Sequence, residues 1–477
     1  MSHINEKPFS SSNCMLLKPE KMGFFQLFMV LFGRDLNKKD FVHCLDPIIE
    51  PRFYHKWLIF VSLLVQKVLN SCARILKCIG DIFESILNPQ ASSNKNFFII
   101  VFNCIRGKQI LDKNSEYYKS IVGHLDNRLE LLDNSIKRDD PTKYNAALSM
   151  MASKVSYENQ AYVHAVVVNR WTMELIECRD YWNDHQEKAT TQAFIMLDKS
   201  EDQDTYVVAF RGTEPFDADA WSTDVDISWF EIPGVGRTHA GFMKALGLLL
   251  DFNKEELRWP KEIETNENRP RAYYSIRNLL RKHLNGNDRA KFIVTGHSLG
   301  GALAILFTAM LMMHDERLLL ERLEGVYTFG QPRVGDENFA NYMEKNLKYY
   351  GIKYFRFVYC NDIVPRLPFD DDIMKFEHFG TCLYYDRFYR GKKVKEEPNK
   401  NYFSWPWKGM MIQKKVNAFR ELVRSFTIVH KHGPEYQEGW LLRFIRVLGL
   451  LFLAGLPAHC PQDYVNVTRL GLPSHLD

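Results

Sequence analysis

The chain has 477 residues, which allows one large domain with extensions or two to three domains. Its formal net charge of +4 is too small for this length to indicate a nucleic-acid-binding protein. The nine cysteines form no C-x-x-C pair, so they indicate neither a disulfide framework nor a zinc site and favour a reducing compartment.

Residues 1–140 are predicted to form a helical, apolar extension. An apolar run at 23–33 resembles a signal peptide only weakly, because charged residues follow it in place of a small-residue cleavage site. A second run at 57–65 continues into a segment with polar residues at every third or fourth position, which predicts a helix with a narrow polar stripe. No stretch reaches the roughly 18–20 uninterrupted apolar residues expected of a membrane-spanning helix.

The extension has the features of a helix that lies in a membrane interface. Between Arg52 and Lys77 all full charges are basic, and cations beside a wide apolar face suit anionic lipid headgroups. Apolar residues at 97–102 add to this surface. The alternative is a helix buried against the rest of the protein. We favour membrane association, and we place a hinge into the second part of the chain at 133–143.

From about residue 144, strands and helices alternate. Apolar runs predict strands at 193–197, 205–210, 292–294, 325–330 and 353–359, and helical patterns separate several of them. This alternation predicts an α/β fold with a mostly parallel sheet that helices cover on both faces. In such sheets, chemistry gathers at the carboxyl ends of the strands.

The segment Gly296-His297-Ser298-Leu299-Gly300 joins the strand at 292–294 to a helix of small and apolar residues. A serine on such a sharp turn has its hydroxyl exposed, and the glycines avoid collisions where the turn is tightest. The N-terminus of the following helix favours an anion at the same place. We therefore predict that Ser298 is a nucleophile.

A serine nucleophile needs a base, and the base needs an acid that orients it. After a strand–serine–helix turn of this kind, the acid is expected downstream, in a loop that follows a strand. Asp362 follows the strand at 353–359 in a loop stiffened by two prolines, whereas Asp336 precedes a helix and suits an N-cap. We favour Asp362 as the acid.

The base is harder to choose, because five histidines follow Asp362: His378, His430, His432, His459 and His475. His378 is close to Asp362 in sequence, which favours a structural or surface role, and His430 and His432 lie among charges. His459 lies in a loop between an apolar run and a short extended segment. Spacing alone leaves His459 an open choice.

The oxyanion that forms during acyl transfer needs two hydrogen-bond donors. One is the backbone N–H of Leu299, directly after the nucleophile. A loop on an earlier strand has to supply the other, and Arg211-Gly212-Thr213 after the strand at 205–210 offers the N–H and the hydroxyl of Thr213. Glycine turns after strands are also common without catalysis.

Five motifs in this order resemble the fungal-type (class 3) triacylglycerol lipases: FRGT at 210–213, THAGF at 238–242, GHSLG at 296–300, FGQPRVG at 329–335 and NDIVPRLP at 361–368. The resemblance covers roughly residues 145–470. The chain length, the aromatic-rich extension and residues 458–471 are more narrowly similar to the plant oil-body lipases.

The resemblance implies an α/β-hydrolase fold and water-insoluble glycerides as substrate. It implies that Ser298, Asp362 and His459 form the catalytic triad and that Thr213 and Leu299 form the oxyanion hole. The chain departs from the compact fungal enzymes at residues 369–456, where it is much longer.

Two further segments have two interpretations each. Residues 214–235 mix acids with the aromatic residues Trp221, Trp229 and Phe230, which indicates a lid, as the resemblance also implies. The alternative is an ordered connecting loop with core aromatics. The apolar run at 447–456 is predicted to be a core helix, with a wall of the acyl-chain pocket as the alternative.

These observations lead to one expected organisation: a lipid-droplet- or membrane-associating region at 1–140 and an α/β-hydrolase lipase domain at 141–477, with a lid at about 214–235 and an insertion at about 369–456. The expected activity is triacylglycerol hydrolysis at a lipid-droplet surface through an acyl-enzyme, without metal or cofactor. The alternatives are a phospholipase A1 or galactolipase with the same machinery, or a non-catalytic scaffold. An endoplasmic reticulum membrane is the alternative location.

Overall fold

The structure is a computed structural model. It describes residues 11, 13–32, 41–44, 53–88, 98–99, 102–103, 106, 112–131, 136, 138, 140–200, 203–248, 259–264, 266–368, 375–398, 400 and 407–472.

The described part of the N-terminal region contains two short strands and three helices: β1 (Asn13–Leu17), α1 (Phe24–Phe32), β2 (Val42–Cys44), α2 (Phe53–Leu87) and α3 (Ile121–Leu125). The helical, apolar extension that the sequence predicts is therefore confirmed. Its main element, α2, is one continuous helix of 35 residues.

Helix α2 joins the apolar run at 57–65 and the segment after it into one helix, which is longer than either apolar run alone. By length and composition alone, the stretch His55–Leu87 is long and apolar enough to cross a membrane. The criterion of an uninterrupted apolar run does not identify this stretch, whose apolar residues are interrupted by polar ones. One face of the helix packs on α1 and β1 through Ile59, Phe60 and Leu63. The opposite face is exposed to solvent.

The rest of the chain supplies the elements of the α/β fold. The strands are β3 (Glu174–Asn183), β4 (Lys188–Asp198), β5 (Asp204–Phe210), β6 (Trp229–Ile232), β7 (Gly236–His239), β8 (Ala290–His297), β9 (Leu323–Phe329), β10 (Gly335–Asp336), β11 (Lys353–Tyr359), β12 (Phe376–Glu377), β13 (Thr381–Tyr385) and β14 (Gly391–Val394). The helices are α4 (Pro141–Val155), α5 (Gln160–His164), α6 (Ala218–Val225), α7 (Ala240–Ala245), α8 (Ala272–Leu284), α9 (Leu299–Met313), α10 (Arg317–Arg322), α11 (Glu337–Tyr350), α12 (Trp407–His432), α13 (Trp440–Leu451) and α14 (Pro461–Leu470).

The main sheet has eight strands in the order β14-β13-β11-β9-β8-β5-β4-β3. Strands β5, β8, β9, β11 and β13 are parallel to one another. Strands β3, β4 and β14 extend the two edges of the sheet in antiparallel orientation. Helices α8, α9 and α11 cover one face, and α4 and α14 cover the other. The predicted α/β-hydrolase architecture with a mostly parallel sheet is confirmed.

A second, antiparallel sheet joins the N-terminal region to the rest of the protein. Its strand order is β12-β10-β7-β6-β1-β2. In it, Asn13 of β1 pairs with Glu231 of β6, and the backbone N–H of Leu17 donates to Ser228 Oγ at 2.9 Å. The N-terminal strand is thus built into a sheet whose other members come mainly from residues 229–377.

The insertion at 369–456 contributes the short strands β12–β14 and the helices α12 and α13. The expectation of a core helix at 447–456 is wrong for most of that run, because α13 ends at Leu451 and within the run only Gly449 and Gly455 are buried. Leu441 and Leu442 of α13 are buried, but Leu451 is 62% exposed and Phe452, just beyond the helix, is 81% exposed. Most of this apolar run therefore lies at the surface of the protein and does not fill the core.

Among the described cysteines, Cys78 on α2 is disulfide-bonded, a bond that the sequence did not indicate. The other described cysteines form no disulfide: Cys14, Cys44, Cys72, Cys178, Cys360, Cys382 and Cys460.

Candidate active site

The predicted site residues gather where the parallel strands end. Strands β5, β8, β9 and β11 are adjacent and parallel, so the loops after their carboxyl ends meet at one edge of the sheet. Thr213 follows β5, Ser298 follows β8 and Asp362 follows β11. The order of these strands explains why residues about 150 positions apart in sequence share one site.

Ser298 lies on a strained turn between β8 and α9. Its backbone has φ 59° and ψ −132°, a conformation that L-residues rarely adopt. The turn is compact because two glycines allow close approach: a Cβ on Gly296 would lie 2.1 Å from the carbonyl carbon of Gly300, and one on Gly300 would lie 2.2 Å from the Phe210 oxygen. The Ser298 N–H donates to the Phe329 carbonyl at 2.9 Å, which fixes the turn to β9.

Asp362 and His459 form a hydrogen-bonded pair. His459 Nδ1 lies 2.8 Å from Asp362 Oδ2, and the Asp362 side chain is fully buried. The Tyr464 hydroxyl donates to the same Oδ2 at 2.5 Å, while the backbone N–H of Val364 donates to Oδ1 at 2.9 Å. Three donors therefore hold the carboxylate in one orientation, and the carboxylate in turn orients the imidazole.

His459 is held beside the residue that precedes the serine. It ends a short 3-10 turn, Pro457–His459, just before α14. Its ring stacks on that of His297, with centroids 4.6 Å apart and planes 28° apart. The Nε2 of His297 also lies 2.9 Å from the His459 carbonyl oxygen. Both the ring and the backbone of His459 are thus positioned from the GHSLG segment.

A buried tyrosine completes this arrangement. Tyr157, just after α4, has its hydroxyl 2.8 Å from His297 Nδ1. If Nε2 of His297 donates to the His459 carbonyl, Nδ1 accepts from Tyr157, so both ring nitrogens of His297 are satisfied in the neutral form. Burial lowers the pKa of His297 well below its usual value, which agrees with a neutral ring.

The remaining nitrogen of His459 is available for proton transfer. Among the described residues, none makes a hydrogen bond to His459 Nε2, although this atom is buried. Gly330, after β9, backs the pair closely: with φ +60°, a Cβ there would lie 2.8 Å from His459 Cε1 and 2.9 Å from Asp362 Oδ2. The hydrogen-bonded Asp362 and His459 side chains therefore fit only because residue 330 has no side chain.

The loop with Thr213 lies against the start of α9. The close approach of Gly300 to the Phe210 oxygen places the end of β5 beside the N-terminus of the helix that begins at Leu299. Arg211 ties this loop to β4, because its N–H donates to the Gln192 carbonyl and its guanidinium donates to the Gln192 side chain, both at 2.9 Å. The loop is therefore held at the positive end of a 15-residue helix.

The Thr213 hydroxyl is engaged by a carboxyl group from α6. It donates to Asp224 Oδ2 at 2.7 Å. Asp224 as a residue is only partly buried, but its Oδ1 atom is enclosed, and the loss of water around the carboxyl raises its pKa to about 7. Among the described residues, none makes a hydrogen bond to the second oxygen, Oδ1.

The three aromatic residues expected in a lid lie in two different places. Trp221 is half-buried on α6, where its indole N–H donates to the Pro215 carbonyl at 3.1 Å. Trp229 and Phe230 lie in β6 and are 3% and 0% exposed. They face opposite sides of the second sheet, and both sides are covered: one by the N-terminal region and the other by the main core. This placement corresponds to the alternative of core aromatics for residues 229–230.

The rival candidates lie elsewhere. Asp336 caps α11, since its Oδ1 accepts from the Phe339 N–H at 2.9 Å. His378 is buried with Nε2 2.7 Å from the Pro365 carbonyl, and burial lowers its pKa to about 3. His430 and His432 are on α12, and His475 lies outside the described residues. The described residues contain no group of His, Cys, Asp and Glu that could hold a metal ion.

Sequence reasoning missed Tyr464, His297 and Tyr157. Tyr464 and His297 carry weak signals, since Tyr464 follows His459 by five residues and His297 is the variable residue before the serine in the G-x-S-x-G motif. Tyr157 carries none, because only the packing of α4 against β8 brings it to the site.

Comparisons with known proteins agree on one family. The model of the family "Lipase (class 3)" matches residues 207–372, which run from β5 past Asp362. A triacylglycerol lipase OBL1 of Arabidopsis thaliana is 38% identical over 512 residues, with 100% of this chain and 98% of that protein covered. A triacylglycerol lipase OBL1 of Ricinus communis is 36% identical, with 97% and 95% covered. A solved Rhizomucor miehei triacylglyceride lipase is 23% identical with a TM-score of 0.39, covering 58% of this chain and 93% of that one.

Proposed function

Because the chain belongs to the class 3 lipase family, we propose that it hydrolyses triacylglycerol at a lipid-droplet surface, with Ser298, His459 and Asp362 as its catalytic triad. As a member of this family it is a serine carboxylic-ester hydrolase. The relatives aligned over nearly their whole length carry the name triacylglycerol lipase, which supports a glyceride ester as the substrate.

The observation that carries the proposed mechanism is the state of His459. Its Nδ1 is bonded to a fully buried carboxylate, and its Nε2 has no hydrogen-bond partner among the described residues. A neutral imidazole held in this way presents a lone pair on Nε2, which is what a base for a serine hydroxyl requires. The stacking of His459 on His297, the residue directly before Ser298, supports this role.

The proposed reaction has two halves. In the first, Ser298 Oγ attacks the ester carbonyl carbon while His459 takes its proton, and the imidazolium then protonates the departing glyceride alkoxide. In the second, His459 takes a proton from water, the hydroxide attacks the acyl-enzyme, and the fatty acid leaves as Ser298 regains its proton. The backbone N–H groups of Thr213 and Leu299 stabilise the oxyanion in both halves.

The lipid surface is proposed from the exposed apolar faces of the N-terminal helices. On α2, Ile75 is 60% exposed and Ile86 is 55% exposed, and on α1, Phe32 is 79% exposed. Apolar surface of this extent is costly in water and suits the boundary of a lipid phase. Residues 98–99 and 102 add Phe98, Ile99 and Phe102, which are also exposed.

The test is fatty-acid release from emulsified triolein, with phosphatidylcholine and a galactolipid as rival substrates. The wild type should release fatty acid from triolein, and Ser298→Ala and Asp362→Asn should not. Asp336→Asn is the matched control, since it neutralises the other candidate acid, which caps a helix, and it should keep activity.

Each outcome decides between specific alternatives. Faster release from phosphatidylcholine or the galactolipid than from triolein would be consistent with the proposed mechanism but would contradict triacylglycerol as the preferred substrate. Loss of activity in Asp336→Asn but not in Asp362→Asn would overturn the triad. No release from any substrate, together with no labelling of Ser298 by a fluorophosphonate, would favour a non-catalytic scaffold.

A further inference from the structure

The helices of the insertion have an exposed apolar side that the proposed mechanism does not use. On α13, Trp440, Phe444 and Leu451 are 64%, 50% and 62% exposed, and their spacing of four and seven residues puts them on one helical face. On α12, Phe419, Val423 and Phe426 are exposed with the spacing of a single face as well. We call α12, α13 and the loop to Leu456 the insertion hairpin.

We propose that the insertion hairpin is a second lipid-binding surface, which docks the catalytic domain on the same lipid surface as α2. This inference rests on the proposed function, because it concerns how that site reaches its substrate. Three observations favour a lipid surface over a protein partner.

The first observation is the charge of the hairpin. Lys415, Arg420 and Lys431 are exposed on α12. Two acids are buried where the helices pack together, Glu421 on α12 and Glu438 in the connection before α13, and both are paired with Arg446. Apart from Glu435 in the turn between the helices, the described exposed charges of the hairpin are therefore basic, which suits anionic headgroups.

The second observation is continuity with α2. Phe83 and Leu87 of α2 share one apolar cluster with Leu441, Leu442 and Ile445 of α13. The two helices meet in this cluster through α3, which packs against both of them, while each exposes other apolar residues. A lipid surface that contacts the C-terminal half of α2 is therefore next to α13.

The third observation is the connection to the base. Arg446 of α13 forms ion pairs with Glu438 at 2.7 Å and with Asp463 of α14 at 2.9 Å, and all three side chains are buried. Since α14 begins at Pro461, two residues after His459, the hairpin is joined by buried ion pairs to the segment that carries the base. Cys460 belongs to the same apolar cluster as α13 and α2. Docking the hairpin on lipid would bring the entrance of the site to the interface.

The experiment compares a triple variant of the exposed α13 face, Phe444→Gln with Leu448→Gln and Leu451→Gln, with a matched control. The control is Leu318→Gln with Tyr349→Gln and Phe388→Gln, which removes three exposed apolar side chains outside the hairpin and α2. Binding is measured by flotation with triolein droplets coated with phosphatidylcholine and phosphatidylserine, in full-length protein that also carries Ser298→Ala. Hydrolysis then plays no part in the binding result.

The α13 variant should lower the ratio of droplet-bound to free protein roughly tenfold relative to the control. In protein with Ser298 intact, the α13 variant should slow hydrolysis of emulsified triolein but leave hydrolysis of dissolved p-nitrophenyl butyrate unchanged.

Equal droplet-bound fractions of the α13 variant and the control would overturn the inference. A change from dimer to monomer in sedimentation with partition unchanged would also overturn it, in favour of a second copy of the chain as the partner. Lack of triolein hydrolysis by the wild type would contradict the proposed function, and the flotation result would stand separately.

Discussion

Thr213 and Asp224 are joined by a hydrogen bond of 2.7 Å between the hydroxyl and a carboxyl oxygen. This bond connects the loop proposed to stabilise the oxyanion with α6, the helix of the candidate lid. Helix α6 is in turn fastened to α2, because Ser62 Oγ donates to the Val225 carbonyl at 2.7 Å and Phe216 packs against Phe83. The candidate lid is therefore held between the site and the apolar N-terminal helix.

The first prediction concerns the pH dependence of this contact. Burial raises the Asp224 pKa from 3.8 to about 7, so the folded state binds the proton more tightly than the unfolded chain. The stabilisation is fully present below about pH 4 and is lost as pH rises towards 7, at about 1.4 kcal/mol for each unit of pKa difference. Asp224→Asn removes this titration. The melting temperature of Asp224→Asn minus that of the wild type should therefore rise between pH 4 and pH 7, and a constant difference would contradict the prediction.

The second prediction concerns Gly330. A methyl group at Gly330 would displace the His459–Asp362 pair, since it would lie under 3 Å from both side chains. Gly330→Ala should therefore lower kcat by about a hundredfold, the cost of misplacing catalytic groups by roughly 1 Å. Gly351→Ala is the matched control, because Gly351 also has a positive φ (+67°) but a Cβ there meets nothing within 4 Å. It should lose about 1 kcal/mol of stability through backbone strain and keep its kcat.

The third prediction concerns Tyr464, which we infer to be a positioning residue. Tyr464→Phe removes one of three donors to the Asp362 carboxylate, so the pair with His459 should be held less firmly. We expect kcat to fall roughly tenfold with little change in KM, in line with the loss of a hydrogen bond to a charged group. Tyr389→Phe also removes a buried hydroxyl bonded to a carboxylate, that of Asp463, and should lower stability but not kcat. Equal kcat values for the two variants would show that Tyr464 has only a structural role.

The fourth prediction concerns the lipid-facing side of α2. Truncation is a poor test, because it would remove β1 from the second sheet and uncover Trp229. Replacing Ile75, Ile79 and Ile86 with Asn leaves these contacts intact, since all three side chains are about half exposed or more. Loss of three apolar side chains from the interface should reduce flotation with triolein droplets at least about tenfold. If this variant floats as well as the wild type, α2 is not the anchor.

Much of the main sheet and of the candidate site follows from local sequence. The parallel strands are short apolar runs flanked by turn residues, and local pattern is sufficient to locate them. Ser298 and Asp362 could be chosen because each directly follows such a strand. The division of the chain near residue 140 and the triad remain predictions.

The base and the lid aromatics depend on information that local sequence does not contain. His459 follows the long insertion, so its distance from Asp362 in sequence gives no indication of the 2.8 Å contact, and only the family resemblance selected it. Trp229 and Phe230 are buried on both sides of β6 because β1 pairs with that strand from more than 200 residues away. Burial that arises from such a distant pairing leaves no local pattern.

The pairing of β1 with residues near Ser228, 211 positions later, also sets an order of events during synthesis. A ribosome that adds about 5–20 residues per second needs roughly 10–40 s to make the intervening chain. During that time α2 has left the exit tunnel, while β6 and α6, its later protein partners, do not yet exist. The nascent chain therefore exposes a 35-residue apolar helix before the catalytic domain is complete, so a membrane surface can bind this helix before the rest of the protein folds.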